Sequence, residues 1–170
     1  DINAQSILIT DNHNFANMVI DNIKRLNKNH KKDKIINKSL SKNGMIILVD
    51  NIYNCSDIIN FIAPEHLHIH LKSNNKLLKN IRNAGGIFLG EYSAEAFGDY
   101  ILGTNHVLPT SGAAKFSSGL GVLDFMKRTS VVKMNINSFN SFETDTQNIA
   151  NIEGLEAHKL SVKIRQKKKS

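Results

Sequence analysis

The sequence predicts an α/β fold: a Rossmann-like parallel sheet layer with covering helices over residues 1–125, then a helical appendage over residues 126–170. Three observations predict it. Apolar runs of strand length alternate with amphipathic helical patterns through about the first 90 residues. A Gly/Ser-rich stretch without periodicity follows at 103–121 (GTNHVLPTSGAAKFSSGLG), and helical spacing returns from Ser138.

Ser6-Ile-Leu-Ile-Thr10, bounded by Asp11-Asn12, reads as a buried strand. Phe15, Val19, Ile20, Ile23 and Leu26 then recur at helical spacing, in a helix that runs out into a Lys/Asn-rich polar loop at 28–43. Met45–Val49 is a second buried strand after Gly44. Asp50 or Asn51 is placed to cap a helix carrying Ile58, Ile59 and Ile62, which Pro64 stops. Leu67–Leu71 alternates with period two, as a half-buried strand does. Lys76–Ala84 is helical up to the C-cap pair Gly85-Gly86, and Gly86–Gly90 is another strand. A short helix that Ser93 could cap ends near Tyr100. A loop as long as 103–121 inside a compact domain is uncommon and is usually functional or disordered. Beyond it Phe139, Phe142, Ile149, Ile152, Leu155, Leu160 and Ile164 mark weakly hydrophobic helices, suited to packing on something else.

Composition narrows the classes. The single cysteine, Cys55, excludes an internal disulfide framework and fits a reducing cytosol, so a cytoplasmic protein is expected. No apolar run approaches bilayer length, and the opening residues lack a basic segment with an apolar core; neither a membrane span nor a secretory signal is expected. The chain opens on Asp1 rather than Met, which suggests a fragment or a processed product. A formal net charge of +7 raises nucleic acid as a partner. The basic residues, however, sit in the Lys28–Lys42 loop, singly on helix faces and in the run Lys167-Lys168-Lys169, without interleaved exposed aromatics. Solvated faces and a basic tail explain them, and no nucleic-acid or membrane partner is expected.

Four places concentrate ionisable groups at element boundaries. Glu65-His66, after Pro64, sets a carboxylate beside an imidazole, two proton carriers of which one titrates near neutrality. Asp99 ends the short helix, His106 lies in the long loop, and Glu153 and His158 stand near the C-terminus. Asp oxygen and His nitrogen suit zinc, yet no pair has a binding spacing such as HExxH; a metal site must be assembled from distant segments, and a surface Asp and a helix-face His are the plainer reading. His68 and His70 share a strand face and could chelate a metal, but with Leu67, Ile69 and Leu71 opposite they read as its polar face. Cys55 reads as a small buried residue. The loop glycines form neither a GxGxxG nor a Walker A pattern.

The stretches IAPEHL, NAGGIFLGEYSAEAFGDYILGTNHVLPTSGAAKFSSGLGVLDFMKR and EGLEAH resemble histidinol dehydrogenase, in order. Residues 1–61 resemble the family more loosely, through SILIT and MIILV. Gly86, where the family usually has Ala, and Ala94, where Pro is common, depart from it away from the chemistry. The resemblance implies oxidation of L-histidinol to L-histidine via L-histidinal in two NAD-dependent steps, on a zinc-containing homodimer. Glu65 corresponds to the base that activates water, and His66 to the group that takes protons from the substrate oxygen. Asp99 corresponds to a zinc ligand that also touches substrate, and His158 to a zinc ligand contributed across the dimer by an exchanged C-terminal segment. Glu153 matches a substrate-binding carboxylate, and His106 lies in the matching substrate-side loop.

The resemblance also implies elements outside these 170 residues: two further zinc ligands in a Gln-Ala-Glu-His segment, and the dinucleotide-binding domain. A fragment inactive by itself is therefore expected, with no cofactor-binding residue of its own. An inactive truncated remnant and a basic nucleic-acid-binding module are the competing classes; salt-dependent retention on DNA separates the latter.

Overall fold

The computed structural model describes residues 1–166; the expected basic run at Lys167-Lys168-Lys169 lies outside the described residues. The chain divides into two compact units, the first Asp1–Phe125 and the second beginning at Met126. No helix among the described residues is long and apolar enough to cross a membrane.

The first unit is mixed α/β with parallel strands. Strand β1 (Ser6–Thr10) leads into helix α1 (His13–Asn27), whose N-cap Asn12 accepts from the Phe15 N–H at 2.9 Å. Helix α2 (Asp33–Asn43) follows and delivers the chain to β2 (Gly44–Leu48). This corrects the polar loop expected at 28–43. The segment buries a serine rather than an apolar stripe: Ser39 Oγ donates to the Ala4 carbonyl at 2.8 Å, tying α2 to the approach to β1. Asn27 and Asn37 bond side chain to side chain at 2.6 Å across the connection.

A 3-10 turn at Ile52–Asn54, capped by Asn51, precedes α3 (Ser56–Ile62). Ala63 ends α3 in the left-handed region at φ 51°, and Pro64 follows. Then come β3 (His66–Ile69), α4 (Asn74–Leu78) and β4 (Gly86–Leu89). Helix α4 stops well short of the expected Gly85-Gly86 cap because the buried side chain of Asn60 captures the backbone beyond it. Its Oδ1 accepts from the Arg82 N–H at 2.7 Å and the Asn83 N–H at 3.1 Å, and its Nδ2 donates to the Asn80 carbonyl at 2.8 Å. Helix α5 (Glu95–Tyr100) closes the series. Ser93 does not cap it; its hydroxyl donates instead to the Leu89 carbonyl at 2.6 Å, and Ala94 holds the N-cap position.

The expected single sheet layer is replaced by two two-stranded parallel sheets, β1–β2 and β3–β4. Ile7 pairs with Met45 in the first, and Leu67 with Ile87 in the second. A shared core joins them. Cys55, Ile59, Ile69 and Leu77 are buried together, with Ile9, Val49 and Leu67 packed against them.

The second unit holds α6 (Ile136–Ile152) and α7 (Glu156–Lys163), joined through Gly154 at φ 71°. Lys159 Nζ donates to Asn151 Oδ1 at 2.6 Å across that joint. Phe142, Ile149, Ile152 and Leu160 remain exposed on these helices.

Candidate active site

Backbone pairing at the amino end of β3 sets the site. The Gly85 N–H donates to the Pro64 carbonyl at 2.9 Å, and the Gly86 N–H to the Glu65 carbonyl at 2.7 Å. The Pro64-Glu65-His66 segment is thereby locked beside the start of β4. His66 opens β3 with its ring tilted against Phe88 of β4, centroids 5.9 Å apart.

Phe88 also seats α5. Gly98 is buried on it so closely that a Cβ there would stand 3.0 Å from the ring. A side chain there would be tighter than ordinary van der Waals contact, and the same helix brings Glu95 and Asp99 close to His66. The two acids are four positions apart, on one helical face. One ligand-type atom from each of His66, Glu95 and Asp99 lies within 4.8 Å of the others. His66 Nε2 stands 3.9 Å from Glu95 Oε1 and is itself buried without a hydrogen-bond partner.

The electrostatics follow from crowding. A side-chain hydrogen bond to Asp99 pushes the Glu95 carboxyl above its ordinary value, with desolvation and the charges of Asp99 and Glu65 acting the same way; His66 opposes them. Imidazole nitrogen and carboxylate oxygen are both zinc-type donors, and an orphaned buried ring nitrogen facing two carboxyls fits a cation or a hydrogen-bonding substrate group.

The other expected residues are placed as follows. Glu65 is half-buried at the turn before β3. His106 is exposed, in a loop that closes on itself: Asn105 Nδ2 donates to the Leu120 carbonyl at 2.8 Å, and Asn105 Oδ1 accepts from the Val107 N–H at 2.8 Å. Glu153 ends α6 and His158 lies in α7, both exposed within the second unit. Sequence reasoning missed Glu95. Its four-residue spacing from Asp99 was the available signal. His68 and His70 are exposed, their rings parallel at 5.8 Å, while Ile69 between them is buried.

A family model described as "Histidinol dehydrogenase" matches residues 1–166. Among curated relatives, the histidinol dehydrogenase of Aquifex aeolicus is 44% identical over 162 residues, which cover 95% of this chain and 38% of that protein. The histidinol dehydrogenase of Hydrogenovibrio crunogenus is 44% identical over 167 residues, covering 98% and 39%. The crystal structure of histidinol dehydrogenase from Elizabethkingia anophelis superposes with a TM-score of 0.77 at 31% identity, over 95% of this chain and 37% of that one. The chain thus spans under two-fifths of the length of the relatives it matches.

Proposed function

We infer the function from one premise: this chain belongs to the histidinol dehydrogenase family. In an enzyme of the relatives' length, its residues would serve the oxidation of L-histidinol to L-histidine via L-histidinal. The oxidoreductase uses NAD in both steps and belongs to L-histidine biosynthesis in the cytoplasm. His66 takes protons from the substrate oxygen. Glu65 takes the proton of the water that must add to the aldehyde before the second oxidation, and base catalysis of this kind contributes about 10²–10⁴-fold.

Asp99 and His158 would hold zinc, with His158 reaching the site of the other subunit of a homodimer through an exchanged C-terminal segment. When bound, zinc supplies a fixed point that orients histidinol. Asp99 also contacts the substrate, Glu153 suits its cationic part, and His106 supports it from the long loop.

The observation that carries this reading is the convergence of His66 and Asp99, one ligand-type atom of each within 4.8 Å, together with the buried, unpartnered Nε2 of His66. The test is a chimera in which this chain replaces the matching segment of the Aquifex aeolicus relative. It should reduce two NAD per histidinol. A folded, dimeric chimera that reduces none contradicts the reading.

A further inference from the structure

Asn105, the residue before His106, uses both ends of its side-chain amide. Its Oδ1 accepts from the Val107 N–H at 2.8 Å, closing a turn whose central residue is His106. Its Nδ2 donates to the Leu120 carbonyl at 2.8 Å, on the returning arm of the loop. The Leu120 N–H donates in turn to the Val107 carbonyl at 2.9 Å, so the two arms are tied on both sides of His106. Surface loops whose ends are joined in this way are frequently functional. The loop is also anchored beside the candidate site. Thr104 Oγ1 donates to the carbonyl of Gly98, the residue before Asp99 on α5, at 3.3 Å. Beyond His106, Leu108 lies between two glycines: a Cβ at Gly86 would stand 3.2 Å from its Cδ1, and one at Gly119 3.0 Å from its Cδ2. Gly86 is the register partner of His66. The segment 104–108 therefore runs from the helix of Asp99 to the strand neighbour of His66, with His106 in its middle.

We propose that Asn105 is a positioning residue: by holding the turn at His106 and tying it to Leu120, it fixes the backbone from which the His106 imidazole reaches the substrate. The proposal rests on the assignment of His106 as a substrate-side residue made above. The physical argument is one of pre-organisation. His106 is exposed, so the backbone at the turn sets where its ring can reach. A binding group that must be ordered when substrate arrives gives up part of its interaction energy to that ordering, and a turn already closed avoids the loss. Asparagine suits the place because one short side chain both accepts and donates. Alanine does neither, and aspartate keeps the acceptor for Val107 but cannot donate to Leu120.

Two measurements test this. In the 170-residue chain, backbone relaxation by nuclear magnetic resonance should show an ordered amide at His106 in the wild type and a mobile one in Asn105→Ala. Asn105→Asp, the milder variant, should fall between them. In the Aquifex chimera, Asn105→Ala should raise KM for histidinol about 10-fold with kcat nearly unchanged, and His106→Ala should do the same. The double variant should be no worse than His106→Ala, because a residue that acts only through His106 has nothing left to position. An ordered His106 amide in Asn105→Ala overturns the proposal. So does a KM that rises additively in the double variant, or a loss confined to kcat. A His106→Ala variant with unchanged KM removes the task given to His106 and the proposal with it. A wild-type chimera without turnover would sink the family reading alone, and the backbone-order measurement then decides the role of Asn105 by itself.

Discussion

Gly85 lies against the backbone of Glu65 with no room for a side chain: a Cβ at Gly85 would stand 2.6 Å from the Glu65 carbonyl oxygen and 3.2 Å from Cδ of Pro109. The neighbours are backbone and a proline ring, which cannot swing aside. Gly85→Ala must therefore push the Glu65-His66 segment away from β4. The expected result is a stability loss of about 1–3 kcal/mol by urea unfolding, as for overpacking elsewhere. In the Aquifex chimera kcat should also fall about 10²-fold, because the displaced residues include the proposed bases Glu65 and His66. Unchanged kcat in a destabilised variant would show that the contact is structural only.

Cys55 is 2% exposed in the core with Ile59, Ile69 and Leu77. Burial raises its thiol above the ordinary value and the Asp11 charge adds to this, against a backbone hydrogen bond that lowers it. Its reaction with iodoacetamide should be slow in the native chain, limited by local opening, and fast in urea. Equal rates in both would place Cys55 outside the core.

His68 supplies a pH dependence. Desolvation holds it below its ordinary value of 6.5, and the neighbouring His70 and His66 push the same way. From β4, Phe88 stacks on its ring at 5.0 Å. A folded state that resists protonating this ring binds fewer protons than the unfolded chain below pH 6.5. Its contribution is thus complete above that pH and lost as pH falls through it. The urea midpoint should drop between about pH 7.5 and about pH 5.5, and less so in His68→Gln. A variant with the same slope would remove His68 from the account.

Strand and helix alternation was legible in the chain because β1, β2, β3 and β4 each carry a short apolar run. Which strands pair was not, since neighbours are chosen by contacts distant in sequence. Helix α2 escaped notice because its tie to the fold is the hydroxyl of Ser39, not an apolar stripe. The end of α4 is set by Asn60, some 20 residues upstream, and no local signal marks it. Glu65, His66 and Asp99 were singled out through family motifs, and His66 and Asp99 do stand close together. Glu95 was not, because only the fold brings it within 3.9 Å of a residue on another element.

The ligand count makes a further prediction. In the proposed assignment Asp99 and His158 would supply only two of the four ligands that a protein zinc site uses, and no GxGxxG stands anywhere in these 170 residues. The chain by itself should bind zinc weakly in calorimetry and form no NADH from histidinol. Steady turnover by the chain alone would contradict the assignment of the remaining ligands to segments outside it.

The most direct test of the account separates the two oxidations at Glu65. The Aquifex chimera and its Glu65→Gln variant are supplied with histidinol and, separately, with histidinal, and the rate of NADH formation is followed. Only the aldehyde step needs activated water, so Glu65→Gln should lose about 10²–10⁴-fold on histidinal and far less in the first oxidation of histidinol. Equal losses on the two substrates would contradict the assignment of Glu65 as the base that activates water.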